Sequence, residues 1–182
     1  GNTLANCESV LFFKKGQARK GKILTFLGTR LAGPNDFFEI QELLTAHYEE
    51  CYGRGAVTLL GDHFWEDIKE SLFSPTSDTG PKFIVAFDEK NELLGLSYFD
   101  ASEHEIWIQM ITEYEQAARF DVIDALLDAT ITWAEIHDIP KLAFNLPAAR
   151  DATELFTFMS NRGFIVRSLG INCEKKVMVR IA

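Results

Sequence analysis

The sequence predicts a single α/β (α+β) domain with a mixed, mostly antiparallel sheet, a central parallel strand pair and helices on both faces. Three observations predict it. Short β-branched and aromatic runs alternate with segments whose apolar residues recur at helical spacing. Two of the runs, at 83–87 and 93–99, are separated by the turn-forming Asp88-Glu89-Lys90-Asn91 and read as a hairpin. A strand at 105–111, a long amphipathic helix and a strand at 141–146 then follow as a right-handed crossover, which makes those two strands parallel.

Composition bounds the function. The chain has 182 residues, 47% of them apolar, with fifteen Phe, enough for one domain with a sizeable core and too apolar for disorder. A net charge of −9 argues against general nucleic-acid or anionic-membrane binding and favours a cationic small molecule or a basic partner. Cys7, Cys51 and Cys173 are far apart and odd in number, which fits reduced thiols in a cytoplasm. No signal-peptide pattern or bilayer-length apolar run is read, and the expected location is cytoplasmic. The four histidines have no metal-ligand spacing, so no metal is expected. Nucleophile-elbow, Walker and dinucleotide-binding patterns are absent from the sequence.

In order, residues 10–13 and 23–27 read as strands around a basic run, 14–22, with five cations in nine residues. The run reads as a solvated hairpin tip, with a phosphate or acidic-partner grip as the alternative, and residues 1–22 form an N-terminal extension of the domain. Asp36 is placed as the N-cap of a helix whose apolar face is Phe37, Ile40, Leu44, Tyr48 and Cys51, ended by Gly53 or Gly55. Asp62 opens a second helix carrying Phe64, Trp65, Ile68, Leu72 and Phe73, and a loop at 74–81 leads to the hairpin. The long helix carries Ile123, Leu126, Leu127, Trp133, Ala134 and His137. A helix at 151–161 carries Leu155, Phe156 and Met159 and is capped by Gly163; strands at 164–166 and 177–181 close the sheet.

A strand that delivers the chain to a helix N-terminus makes a natural anion site, because the first helical amides are unpaired. This junction, and the order of elements over residues 23–181, resemble the GNAT superfamily of N-acetyltransferases. In that family a Q/R-x-x-G-x-G/A turn between strand and helix cradles the pyrophosphate of acetyl-CoA. The same register here reads Gln116-Ala117-Ala118-Arg119-Phe120-Asp121. The resemblance implies acetyl-CoA as co-substrate, with its carbonyl and pantetheine on the backbone of Met110, Ile111 and Thr112 and its phosphates on the 116–121 turn. It implies a small amine or a lysine-bearing acceptor. Glu105, followed by Ile106 as in the histone-acetylating branch, takes the place of the general base.

The chain departs from the family at the residues that carry chemistry. Arg119 and Asp121 stand where the motif has glycines. Asp121 and Asp124 are spaced as N-cap and third helical residue, so the Asp121 carboxylate could cap the helix and fill the phosphate site; alternatively Thr112 and Glu115 form a capping box. Arg119 offers a guanidinium fork for a phosphate in compensation. Met159 and Ala152 stand where the family has the tyrosine general acid and an asparagine. Glu105 also reads as a solvated strand end, with His104 an alternative base. A second function therefore stands beside acyl transfer: a non-catalytic binding or regulatory protein on the same fold. Ornithine decarboxylase antizymes are of that kind, and the run from Arg150-Asp151 to Leu155, with Gly163-Phe164, is loosely similar to theirs. A domain that senses a CoA ester is a third. A homodimer and a protein partner both remain open.

Overall fold

The computed structural model describes residues 12–16, 26–74, 77–114, 121–145, 157–166 and 172–176. Among these residues eight strands form one sheet: β1 (Phe12–Gly16), β2 (Phe26–Leu31), β3 (Gly80–Asp88), β4 (Leu93–Ala101), β5 (Ile106–Tyr114), β6 (Lys141–Asn145), β7 (Ile165–Val166) and β8 (Asn172–Lys176). Their spatial order is β2-β3-β4-β5-β6-β8-β7, with β1 set against β5. The β5–β6 and β1–β5 pairs are parallel and every other pair is antiparallel. The expected mixed sheet with a central parallel pair is present, and β5–β6 is that pair.

Helices cover both faces. On one, α1 (Phe37–Tyr52) and α2 (Asp62–Phe73) bury Ile40, Leu44, Tyr48, Ile68 and Leu72 against Phe83, Val85, Leu96, Tyr98 and Met110. On the other, α3 (Val122–Ile136) buries Val122, Leu126, Leu127 and Trp133 against Ile84, Leu94, Phe99, Ile108 and Ile111. Each face removes large aliphatic side chains from water at about 25 cal/mol per Å². Within the second core, the Thr130 hydroxyl donates to the Leu126 carbonyl at 2.8 Å. Its single proton is thereby used, so the Ser97 hydroxyl, 2.8 Å from Thr130 Oγ1, is the donor of the bond that ties β4 to α3.

Several sequence expectations are corrected. Among the described residues the strands flanking the basic run do not pair with one another: β1 pairs with β5, and β2 pairs with β3. Lys14 and Lys15 lie in β1 itself rather than in a turn. β2 is described from Phe26 and runs to Leu31, beyond the expected end at 27, because an edge strand tolerates polar residues and Arg30 finds partners there; residues 23–25 of the expected strand lie outside the described residues. Arg30 donates twice to Asp36, at 2.8 and 3.1 Å, and its guanidinium sits over the Phe87 ring. Asp36 is therefore not a side-chain N-cap; its carboxylate, nearly buried, accepts from Arg30 and from the Gly33 amide and fastens β2 to the start of α1. Phe73, assigned to the apolar face of α2, is 73% exposed at the helix end. The last described strand is β8, ahead of the expected 177–181, which lies outside the described residues. Of the 151–161 helix, residues 157–160 are described as helical.

Gly95 sets how closely α3 approaches the sheet. A Cβ there would lie 2.5 Å from the Thr112 carbonyl oxygen and 3.0 Å from Val122 and Leu126 side-chain atoms. The first of these is backbone and cannot swing away. Gly95→Ala is expected to lower stability by about 1–3 kcal/mol, read as a shift in the denaturant midpoint with an unchanged slope.

Candidate active site

The site is built around an irregularity in the middle of the sheet. Tyr98 faces Met110 across the β4–β5 ladder, but the next β4 residue, Phe99, faces Ile108, so Gln109 is an extra residue without a β4 partner. Such a bulge switches side-chain parity. Ile108 points into the α3 core, whereas Met110 points into the α1–α2 core. The sequence carries a trace of this: the apolar residues 106, 108, 110 and 111 cannot all lie on one face of a regular strand.

The bulge places Gln109 beside Asp100. Gln109 is 8% exposed and its Nε2 donates to Asp100 Oδ2 at 2.7 Å. An ionised carboxylate only accepts, so the amide nitrogen must face it and Oε1 must point away; Oε1 is buried without a hydrogen-bond partner. Trp107, directly across the ladder from Asp100, leaves its Nε1 buried and unpaired as well. Residues 107 and 109, both close to Asp100 in the ladder, therefore leave one donor and one acceptor without a hydrogen-bond partner. Burial pushes the Asp100 carboxyl above its ordinary range, and the Gln109 hydrogen bond opposes the shift.

Asp100 and Tyr98 form part of the wall of a cavity of about 500 Å³ between α2, β3 and β4. Asp67, Glu70, Ser71 and Phe64 of α2 and Lys82 of β3 complete much of its lining. Lys82 is buried, which pulls its ammonium below the ordinary lysine range, while Asp78 acts in the other direction. Three carboxylates against one ammonium make the cavity receptive to a cationic group. Tyr98 stacks on Phe83 with ring centroids 4.8 Å apart, which holds its ring against the sheet.

The residues singled out from sequence fall into separate places. Met110, Ile111 and Thr112 lie on β5 just beyond the bulge, with Met110 opposite Tyr98, while Asp100 lies on the near side of the bulge opposite Trp107. Among the described residues β6 pairs with β5 only at Ile106 and Trp107, so the two parallel strands part company before Met110. Glu105 lies at the opposite end of β5. It closes the β4–β5 turn through backbone bonds with Ser102, and its Oε2 is 3.0 Å from Lys141 Nζ. Five strand residues at about 3.3 Å each put its Cα roughly 17 Å from that of Met110. His104, in the same turn, donates its backbone N–H to the Ser102 hydroxyl. Gln116, Ala117, Ala118, Arg119 and Phe120 lie outside the described residues.

Asp121 directly precedes α3 and makes no side-chain capping bond, contrary to the capping role considered for it. Its backbone instead has φ +52° and ψ +40°, the left-handed region that glycine enters freely and that Asp tolerates better than most residues. The chain thus keeps a glycine-type backbone at a position where the motif has glycine, and adds a carboxylate to it. Asp124, one turn into α3, pairs with Arg162. Met159 is buried in the α3 core and offers no proton. Among the described residues no cluster of three His, Cys, Asp or Glu side chains could hold a metal, and no helix is long and apolar enough to cross a membrane.

Comparison with solved structures defines the fold. An N-acetyltransferase, PaiA, from Thermoplasma acidophilum in complex with coenzyme A superposes with a TM-score of 0.61 at 14% identity, over 85% of this chain and 100% of that one. A putative GNAT-family acetyltransferase from Desulfovibrio desulfuricans gives 0.62 at 14% identity, over 82% and 98%. A GNAT-family N-acetyltransferase, YhbS, from Escherichia coli in complex with CoA gives 0.56 at 12% identity, over 87% and 85%. No family model and no curated protein matches the sequence. The chain is a GNAT-fold protein.

The raised carboxyl of Asp100 has a thermodynamic signature. Its folded-state pKa lies above the unfolded one, so its contribution to stability is full below the ordinary carboxylate pKa and is lost as pH rises through the raised value. Asp100→Asn is expected to be more stable than the parent chain at pH 7, with the difference in melting temperature closing as pH falls toward about 4.

Proposed function

We propose that this protein transfers an acyl group from a CoA thioester to a primary amine bound in the cavity between α2, β3 and β4. The observation that carries this reading is the position of Asp100: a half-buried carboxylate with a raised pKa lines that cavity beside the point where β5 and β6 separate on a GNAT fold. The cofactor-bound neighbours support a CoA thioester as the donor class.

In this reading the amine enters as its ammonium, drawn by Asp67, Glu70 and Asp100. Asp100 accepts one ammonium proton, helped by a pKa closer to neutrality than that of a solvated carboxylate. The free amine attacks the thioester carbonyl, placed at the β5 edge around Met110, where backbone amides stabilise the developing oxyanion. The carbon–sulfur bond then breaks. The adduct nitrogen gives up a second proton, and the departing thiolate gains one through Tyr98, the phenol in the cavity wall. One proton stays on the amide nitrogen and the proton on Asp100 returns to solvent, so the products are amide, free thiol and a proton. Tyr98 takes the part that Met159 cannot.

Thiol release from acetyl-CoA across a panel of primary amines and polyamines tests this. Asp100→Asn is expected to lower kcat by about 10²–10⁴-fold, and the parent rate to rise with pH along a limb above the ordinary carboxylate range. Glu105→Gln, measured in parallel, tells the two carboxylates apart. Full turnover in Asp100→Asn with loss in Glu105→Gln would return the proton to Glu105. Full turnover in both would remove both carboxylates from the reaction.

A further inference from the structure

We propose that β1 is an internal occupant of the acyl-donor site and that acyl-CoA must displace it to bind. The inference rests on the donor reading above. β4 pairs with one edge of β5 from Ile106 to Glu113. The other edge is divided. β6 takes Ile106 and Trp107, and β1 takes Met110 to Tyr114 in parallel register, with Phe12 opposite Met110, Phe13 opposite Ile111, Lys14 opposite Thr112 and Gly16 opposite Tyr114.

The edge that β1 covers is the one left free where β6 diverges. The pantetheine arm of CoA is peptide-like, with two secondary amides along an extended chain, and it can pair with an open strand edge as an added strand would. Each backbone N–H on that edge serves one acceptor in register, so β1 and a pantetheine cannot both hold Met110–Thr112. β1 is also built to leave. It has five residues, pairs among the described strands with β5 alone, and contains Lys-Lys-Gly, residues that strands disfavour. The consequence is a conformational tax: the apparent donor affinity equals the intrinsic one multiplied by the fraction of molecules whose edge is open.

The test uses the full chain. Of any two consecutive strand residues one directs its N–H at the neighbouring strand, so replacing both Phe13 and Lys14 by proline removes a β1–β5 bond whichever residue makes it. Acetyl-CoA titrated by calorimetry is expected to bind the Phe13→Pro, Lys14→Pro variant about tenfold more tightly, or better, than the parent. Hydrogen exchange on the parent alone gives a second readout that needs no variant. At saturating acetyl-CoA, amides 12–16 are expected to exchange faster while those of α3 do not. Equal affinities, with 12–16 equally protected in the bound parent, would overturn the displacement and leave the donor reading standing. Absence of binding by both chains would overturn both.

Discussion

A β-strand has two edges, and the organisation of this protein follows from how those of β5 are shared. One belongs wholly to β4. The other goes to β6 for two residues and then to β1. Because β6 departs so early, the middle of β5 has an edge that the sheet proper does not use. In the proposed function this is the place where a thioester and an amine meet. The bulge at Gln109 is part of the same arrangement: it reverses parity so that Met110 packs under α1 and α2, and it brings Gln109 beside Asp100. A regular strand would leave Asp100 without that amide.

The electrostatics of the site pull in two directions. Partial burial of a carboxylate raises the free energy of the folded chain in its charged form, which Asp100 tempers with one hydrogen bond from Gln109. The same burial brings its proton affinity nearer to that required of a base at neutral pH. Next to α3 the opposite problem arises, because Asp121 retains the backbone conformation of a glycine and brings a negative charge toward the helix N-terminus, where a phosphate would otherwise be welcome. Donor binding thus meets a charge at one end of β5 and a strand along its edge. Both would restrain the proposed reaction.

The fold was largely legible in the sequence. The hairpin around Asp88–Asn91 and the helices ending at Gly53 and Gly163 are local signals: a turn run between apolar strands, or a glycine with positive φ, specifies its own surroundings. The β5–β6 pairing followed from the handedness of crossovers. The site was less legible, because it depends on non-local pairing. Asp100 sits in an apolar run between Phe99 and Ala101, and an acidic residue there was the signal that could have marked it. Its importance comes from a bulge nine residues later. Glu105 drew attention by its place before Ile106, yet the ion pair with Lys141 depends on where β6 begins. The partner of β1 could not be read from residues 10–27, since sequence neighbours suggested a hairpin and the free edge of β5 offered another ladder.

The most direct test of this account is a crystal structure of the full chain with a non-reactive thioether analogue of acetyl-CoA. The account requires the pantetheine arm along Met110–Thr112, the acyl carbon facing the Asp100 cavity, and residues 12–16 gone from that edge. Analogue bound elsewhere, or bound while β1 still pairs with β5, would contradict it.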